Sequence, residues 1–324
     1  MAVAGKSASI SHELLGAPAE FFNPNLLMFL GSVCLFITCF CGYAYWDWPR
    51  WLVFFLNFLS LYVLGTVIHD ASHGSAHRNP FLNEALGHGS ALLQGFVYPV
   101  FKRVHMQHHA HVNDPDNDPD HYVSTGGPLW LIPVRFFYHE VFFFKRQLWR
   151  KGKYDLLEWS LSRLVVVATF GLAFYFGLSD YILNYWLPPA FIMGLLLGLF
   201  FDYLPHRPFA ETARWHNARV YPSPITNILL LGQNYHLIHH LWPTVPWYRY
   251  QTAYREARHL LDERGCKQTL DIWENRRQLA SFLYDCVLGI RWGGHQARPA
   301  TREIDGSRAG EAPVESISSS LSGR

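Results

Sequence analysis

Charge is scarce in this chain. Only 16% of its 324 residues are Asp, Glu, Lys or Arg, and 27 basic against 25 acidic side chains leave a net charge of +2. With no basic excess, nothing marks a nucleic-acid footprint. Half of the residues are apolar, which excludes a disordered chain and a coiled coil. Cysteine is scarce as well. The five, Cys34, Cys39, Cys41, Cys266 and Cys286, have no zinc-ribbon spacing and are too few for a disulfide framework. They read as small buried apolar residues. There is no Gly-rich dinucleotide loop and no GxSxG, so any redox chemistry needs an electron donor from outside the chain. The first 25 residues lack the pattern of a cleavable signal, and the first apolar run reads as a signal-anchor.

Long apolar runs are what the chain has instead. A mean hydropathy of +0.01 is an average over two unlike parts. Residues 26–45, 51–68, 164–179 and 181–201 carry no charge, and a bilayer core takes about 17–25 apolar residues per helix. The four runs are expected to form two helical hairpins. Trp46, Trp48 and Trp51 cluster at the first tip, where an indole is apolar on one side and wet on the other. Arg50 marks that tip, whereas the loop over 69–160 holds Arg78, Lys102, Arg103, Arg135, Lys145, Arg146, Arg150, Lys151 and Lys153. By the positive-inside rule that loop and both termini are cytoplasmic. Residues 81–101 suit a re-entrant or interfacial segment, 128–144 a surface helix, and 250–291 two amphipathic helices broken near Gly265. The expected class is therefore an all-α integral membrane protein. An N-terminal cytoplasmic segment (1–25) precedes one membrane domain with a helical cap (26–292) and a disordered tail (293–324).

Histidine is in surplus. Eight of the 18 lie between 69 and 111, and three more between 236 and 240. His69 and His73 are spaced i, i+4. His105, His108 and His109 are spaced i, i+3, i+4, and His236, His239 and His240 repeat that spacing, so each set shares a helix face. His206 directly follows the fourth run. On the hairpin topology all nine converge at one membrane face. Neutral imidazole suits Zn, Cu, Fe and Ni. Nine ligands exceed the roughly four of a single metal, and so they fit two metals with open positions. His77 continues the face of His69 and His73, and stands as a possible tenth ligand. Asp202, four residues before His206, is the candidate carboxylate to accept a ligand's second N–H. His88, His111 and His121 are assigned supporting or structural places, and His12, His139, His216, His259 and His295 no role. The DPDNDPD run (114–120) reads as an Asx/Pro turn loop, without an EF-hand pattern.

At these boxes the sequence resembles the membrane fatty-acid desaturase-like superfamily. The strings HDASHGSAHRN (69–79), HHAHVNDPDNDPDHYVSTGGPLWL (108–131), FDYLPHRPF (201–209) and GQNYHLIHHLWPTVPWYRYQ (232–251) are most similar to its cyanobacterial-type β-carotene ring hydroxylases. The resemblance covers roughly 25–291. It implies a non-haem di-iron centre, O2 as co-substrate, and electrons from ferredoxin or a similar carrier. The family's ligands fall on His69, His73, His105, His108, His109, His206, His236, His239 and His240. Where some desaturases carry Asn, this chain has Asp202. The implied reaction is hydroxylation of a β-ionone ring at C3, taking β-carotene through β-cryptoxanthin to zeaxanthin in a plasma or thylakoid membrane. A carotenoid C4 ketolase and an acyl-lipid desaturase share the boxes. A membrane metal transporter is the non-enzymatic alternative, although its ligands should lie near the bilayer midplane.

Overall fold

A computed structural model describes residues 9–17, 19–272 and 275–289; the expected C-terminal tail lies outside them. The described residues are helical, with no strand among them. Four helices are long and apolar enough to cross a membrane: α1 (Pro24–Tyr45), α2 (Arg50–Ser72), α7 (Asp155–Tyr175) and α8 (Ser179–His206). Between α2 and α7 come α3 (Pro80–Gln94), α4 (Tyr98–Ala110), α5 (Pro119–Thr125) and α6 (Tyr138–Lys145). After α8 come α9 (His236–Leu241), α10 (Tyr250–Glu263) and α11 (Arg276–Val287).

Local chemistry sets several starts. Asn23, Asn79, Asp118 and Asn275 cap α1, α3, α5 and α11 by accepting backbone N–H groups. Pro24, Pro80 and Pro119 follow the first three caps, where a missing N–H costs nothing. The spans pair as hairpins, α1 with α2 and α7 with α8. Their tips meet at one end, where Tyr43 donates to Asp180 at 2.8 Å. Helix α2 is the central one, half buried over its apolar window, whereas α7 is 6% buried. Leu161, Leu164 and Phe174 on α7 thus form an apolar outer surface suited to lipid.

Two boundaries differ from expectation. The third span begins at Asp155, not 164, so it takes in Arg163. An uncharged run could not reveal this, because Arg163 is tolerated through partners: it pairs with Glu140 of α6 and donates to the Gly95 carbonyl at 3.2 Å. The fourth span continues to His206 and contains two wider π-type turns, Ile182–Trp186 and Gly198–Tyr203. Each turn lies just ahead of proline (Pro188 and Pro189, then Pro205), which cannot donate to the helical ladder.

Residues 81–101 double back. Helix α3 ends at Gly95 in the left-handed region (φ +79°), and α4 then returns. Gln94 donates to the Leu61 carbonyl midway along α2, so the reversal lies deep inside the helical bundle. The tip carbonyls, orphaned by the helix end, accept from the Trp186 indole (Leu93, 2.9 Å) and from Arg163. Because the hairpin does not cross, His105 returns to the same end as His69. Residues 128–144 do not form one surface helix. A short helical stretch, Ile132–Arg135, precedes α6, and Ile132, Phe142 and Phe143 are buried. The two amphipathic helices expected in 250–291 are α10 and α11. Part of the N-terminal segment docks on the cap, with Ile10 buried against the α10 cluster.

Candidate metal centre

Four elements bring the histidines to one end of the bundle. His69 sits in the last turn of α2 and His73 caps it. The return of α4 presents His105, His108 and His109, α8 ends at His206, and α9 carries His236, His239 and His240. Gly232 sets the entry to α9: its φ is +86°, and an added Cβ would lie 2.8 Å from the Trp247 carbonyl. Asp70 ties three segments together, accepting from the Asn25 amide (2.9 Å) and from the Trp247 backbone (3.1 Å).

All nine ring sets meet, and they divide in two. In one group Nε2 of His69 faces Nε2 of His239 at 3.1 Å, and His73 faces His105 at 2.9 Å. His109 joins it, with Nε2 at 3.2 Å from His105 and 2.9 Å from His239. In the other group His206 faces His236 at 3.0 Å, His240 faces His236 at 2.9 Å, and His108 faces His240 at 3.3 Å. The groups abut where the rings of His109 and His240 stack at 4.5 Å.

The second nitrogen of several rings fixes the proton. Nδ1 of His206 donates to the Asn217 carbonyl (2.8 Å), that of His108 to Asp118 (3.0 Å), and that of His236 to Gln233 Oε1 (3.1 Å). A neutral imidazole that gives its proton at Nδ1 keeps a bare lone pair at Nε2. His206 and His236 therefore aim two lone pairs at each other across 3.0 Å. That contact is repulsive unless a cation stands between them. A proton is a poor candidate: burial, then the neighbouring rings, hold His236 well below its ordinary range. Burial and neighbours act the same way on His73, His105, His109, His239 and His240. Neutral imidazoles with convergent Nε2 lone pairs are the donor set of a metal site, and four from each group lie within 4.8 Å of one another. The residues thus fit a pair of metal ions.

The carboxylate chemistry differs from expectation. Asp118, not Asp202, accepts from His108, and it also accepts from the backbone of Asn113 and Asp120. Asp120 lies 3.5 Å from His108 and accepts from His139 at 2.8 Å. Burial opposes a charge on His108, but without a metal Asp118 and Asp120 outweigh it and push the group up to about 9; a metal at Nε2 would displace that proton while Nδ1–H stays on Asp118. Burial likewise opposes charge on Asp120, yet His108 and His139 hold its carboxyl below the usual range. The end of the DPDNDPD run is thus more than a turn, and His139, assigned no role from sequence, supports it. The tight reversal after His111, which folds Asp118 back onto His108, left only its Asx/Pro signature in the sequence. Asp202 instead lines a cavity beside Asp120 and His108.

His77 is not brought into the cluster. Helix α2 ends at Ser72 and Gly74 (φ +70°) turns the chain, so the i, i+4 continuation from His73 does not exist. Its Nδ1 accepts from the Asn79 backbone and its Nε2 donates to the Phe21 carbonyl. His88 packs on Tyr98, and His111 is exposed.

The cavity, about 240 Å³, reaches His69, His105, His108 and His236 at one end and runs between apolar side chains of α4 and α8. The arrangement sets an apolar cavity directly against both histidine groups, so that metals held there would face an apolar molecule.

Comparison with known proteins agrees. The model of the fatty acid desaturase family matches residues 46–270. A β-carotene ketolase of Paracoccus sp. (strain PC1) is 34% identical over 194 residues, covering 56% of this chain and 70% of the relative. A β-carotene ketolase of a second Paracoccus strain is 33% identical over 205 residues, covering 60% and 76%. A ferredoxin-dependent sn-1 acyl-lipid omega-3 desaturase of Synechocystis sp. is 24% identical over 299 residues, covering 79% and 82%. With its histidine boxes, its four apolar helices and this match over most of its length, the chain belongs to the fatty acid desaturase family.

Proposed function

We propose that the chain is an O2-dependent hydroxylase of carotenoid β-ionone rings at C3, converting β-carotene to β-cryptoxanthin and zeaxanthin. The observation that carries it is the apolar cavity ending on the two histidine groups. A water-insoluble ring entering from lipid is led along it to the Nε2 lone pairs. Two irons bound there would activate O2, the oxidant, for attack on an unactivated C–H bond. His69, His73, His105, His109 and His239 would hold one, and His108, His206, His236 and His240 the other. Asp118 keeps His108 oriented. The Phe101, Phe136 and Phe201 side chains line the cavity near this end, excluding water and limiting how the ring lies.

Electrons come from ferredoxin or a similar carrier, a reading supported by the name of the Synechocystis relative. Lys102, Arg103, Lys145 and Arg146 are the basic residues suited to steering an acidic carrier; of these, Lys102 pairs with Glu84, Arg103 with Asp155, and Arg146 donates to Asp116 and Asn117. The protein is integral to the plasma or thylakoid membrane, with the histidine end and both termini cytoplasmic; the Lys and Arg distribution supports this.

A second reading, C4 ketolation, is favoured by the names of the two Paracoccus relatives. One experiment divides them: expression in β-carotene-producing cells with a ferredoxin supplied. Zeaxanthin is expected. Echinenone or canthaxanthin would establish the ketolase, and unchanged pigment with newly unsaturated lipids the acyl-lipid desaturase.

A further inference from the structure

A second apolar cavity, about 310 Å³, lies between α1, the tip of α3, α7 and the start of α8. Phe40, Leu92, Thr169, Ala173 and Ile182 are among the residues that line it. It does not touch the histidines. Gly95 and Trp186 line both cavities, so the indole and the re-entrant tip are their shared wall.

The wall is thin and specifically built. Trp186 is held by its N–H on the Leu93 carbonyl (2.9 Å) and edge-on against Phe170 (5.5 Å between centroids). Gly95 lets it lie close, since an added Cβ would be 3.0 Å from the indole. Trp186 ends the first π-type turn of α8, a kind of irregularity frequent at functional sites. The proximal cavity touches α8 from Trp186 to Asp202, about 24 Å of helix at the α-helical rise. One ring needs far less than that length.

We propose that the two cavities are one channel for a long, rod-like apolar substrate, partitioned by Trp186. The reacting end lies at the histidines, the rod runs along α8, and the distal end occupies the second cavity with the indole displaced. Trp186 is then a specificity-determining residue that separates long substrates from short ones.

The inference rests on the carotenoid reading above, and the test keeps the two apart. Iron-loaded protein with ferredoxin is given β-carotene and, separately, a truncated one-ring polyene aldehyde. The readout is the ratio of kcat/KM on the long substrate to that on the short one. Ala173→Trp and, as a milder filling of the distal cavity, Thr169→Phe are each expected to lower the ratio about tenfold. Trp186→Ala, which removes the wall, is expected to raise it. Iron content measured on each variant confirms an intact site. A ratio that stays constant in the filled variants, or that fails to rise in Trp186→Ala, overturns the partitioned channel. If the unaltered protein oxidises neither pigment but oxidises acyl chains, the carotenoid reading fails. The same ratio taken on long and short acyl chains then decides the channel by the same criteria.

Discussion

A neutral imidazole has two nitrogens, and the hydrogen bond at one decides what the other offers. His108, His206 and His236 each give Nδ1–H to an oxygen, leaving Nε2 for a metal. Removing the Asp118 carboxylate should therefore act through His108. Asp118→Asn can still cap α5, but is expected to weaken metal binding about 10–100-fold, as read by iron titration. His239→Ala should abolish turnover while membrane insertion persists; full activity in that variant would contradict the ligand assignment. His77→Asn should leave the metal content intact and cost about 1–2 kcal/mol of stability, because its two hydrogen bonds join Asn79 and Phe21. Iron loss in His77→Asn would return it to the ligand set. The spacing of the boxes was readable because i, i+3 and i+4 fall on one helix face. The fate of His77 was not, because it depends on where α2 stops.

Among the elements, α3 and α4 show how a non-crossing hairpin survives inside a helical bundle. Helix ends leave carbonyls without partners, and an apolar setting makes that costly. Trp186 and Arg163 supply the missing donors at Leu93 and Gly95. Arg163→Leu would leave both Glu140 and the Gly95 carbonyl short of a partner. Since Arg163 and Glu140 are each about a quarter exposed, the expected loss is about 1–3 kcal/mol, read as a lower unfolding temperature in detergent. The apolar runs announce the spans, but the helices continue past those runs where a charge has a partner, as at Arg163, or where proline alters the winding, as ahead of Pro205.

For the whole molecule, burying many neutral histidines makes stability depend on pH. His73, His105, His109, His236, His239 and His240 are held well below their ordinary 6.5. The unfolded chain binds these protons before the folded one does. Metal-free protein should therefore lose stability as pH falls below about 6.5. His108, pushed up to about 9, works in the opposite sense: its contribution is full below the unfolded value and fades as pH rises through 9. Thermal unfolding of the metal-free protein across this range checks both slopes: a flat profile between neutral and mildly acid pH would contradict the first, and a flat one from neutral to about pH 9 the second. The sequence alone determined the class of molecule. Four uncharged runs can be satisfied only as helices in an apolar medium, and repeated histidine spacings announce shared faces. Tertiary structure decided the rest. The split of nine rings into two groups, the placing of Asp118 on His108, and the release of His77 all require segments far apart in the chain to meet. So does the shared wall between two cavities at Trp186. Sequence periodicity reports which face of a helix a side chain occupies; what that face meets is decided by packing.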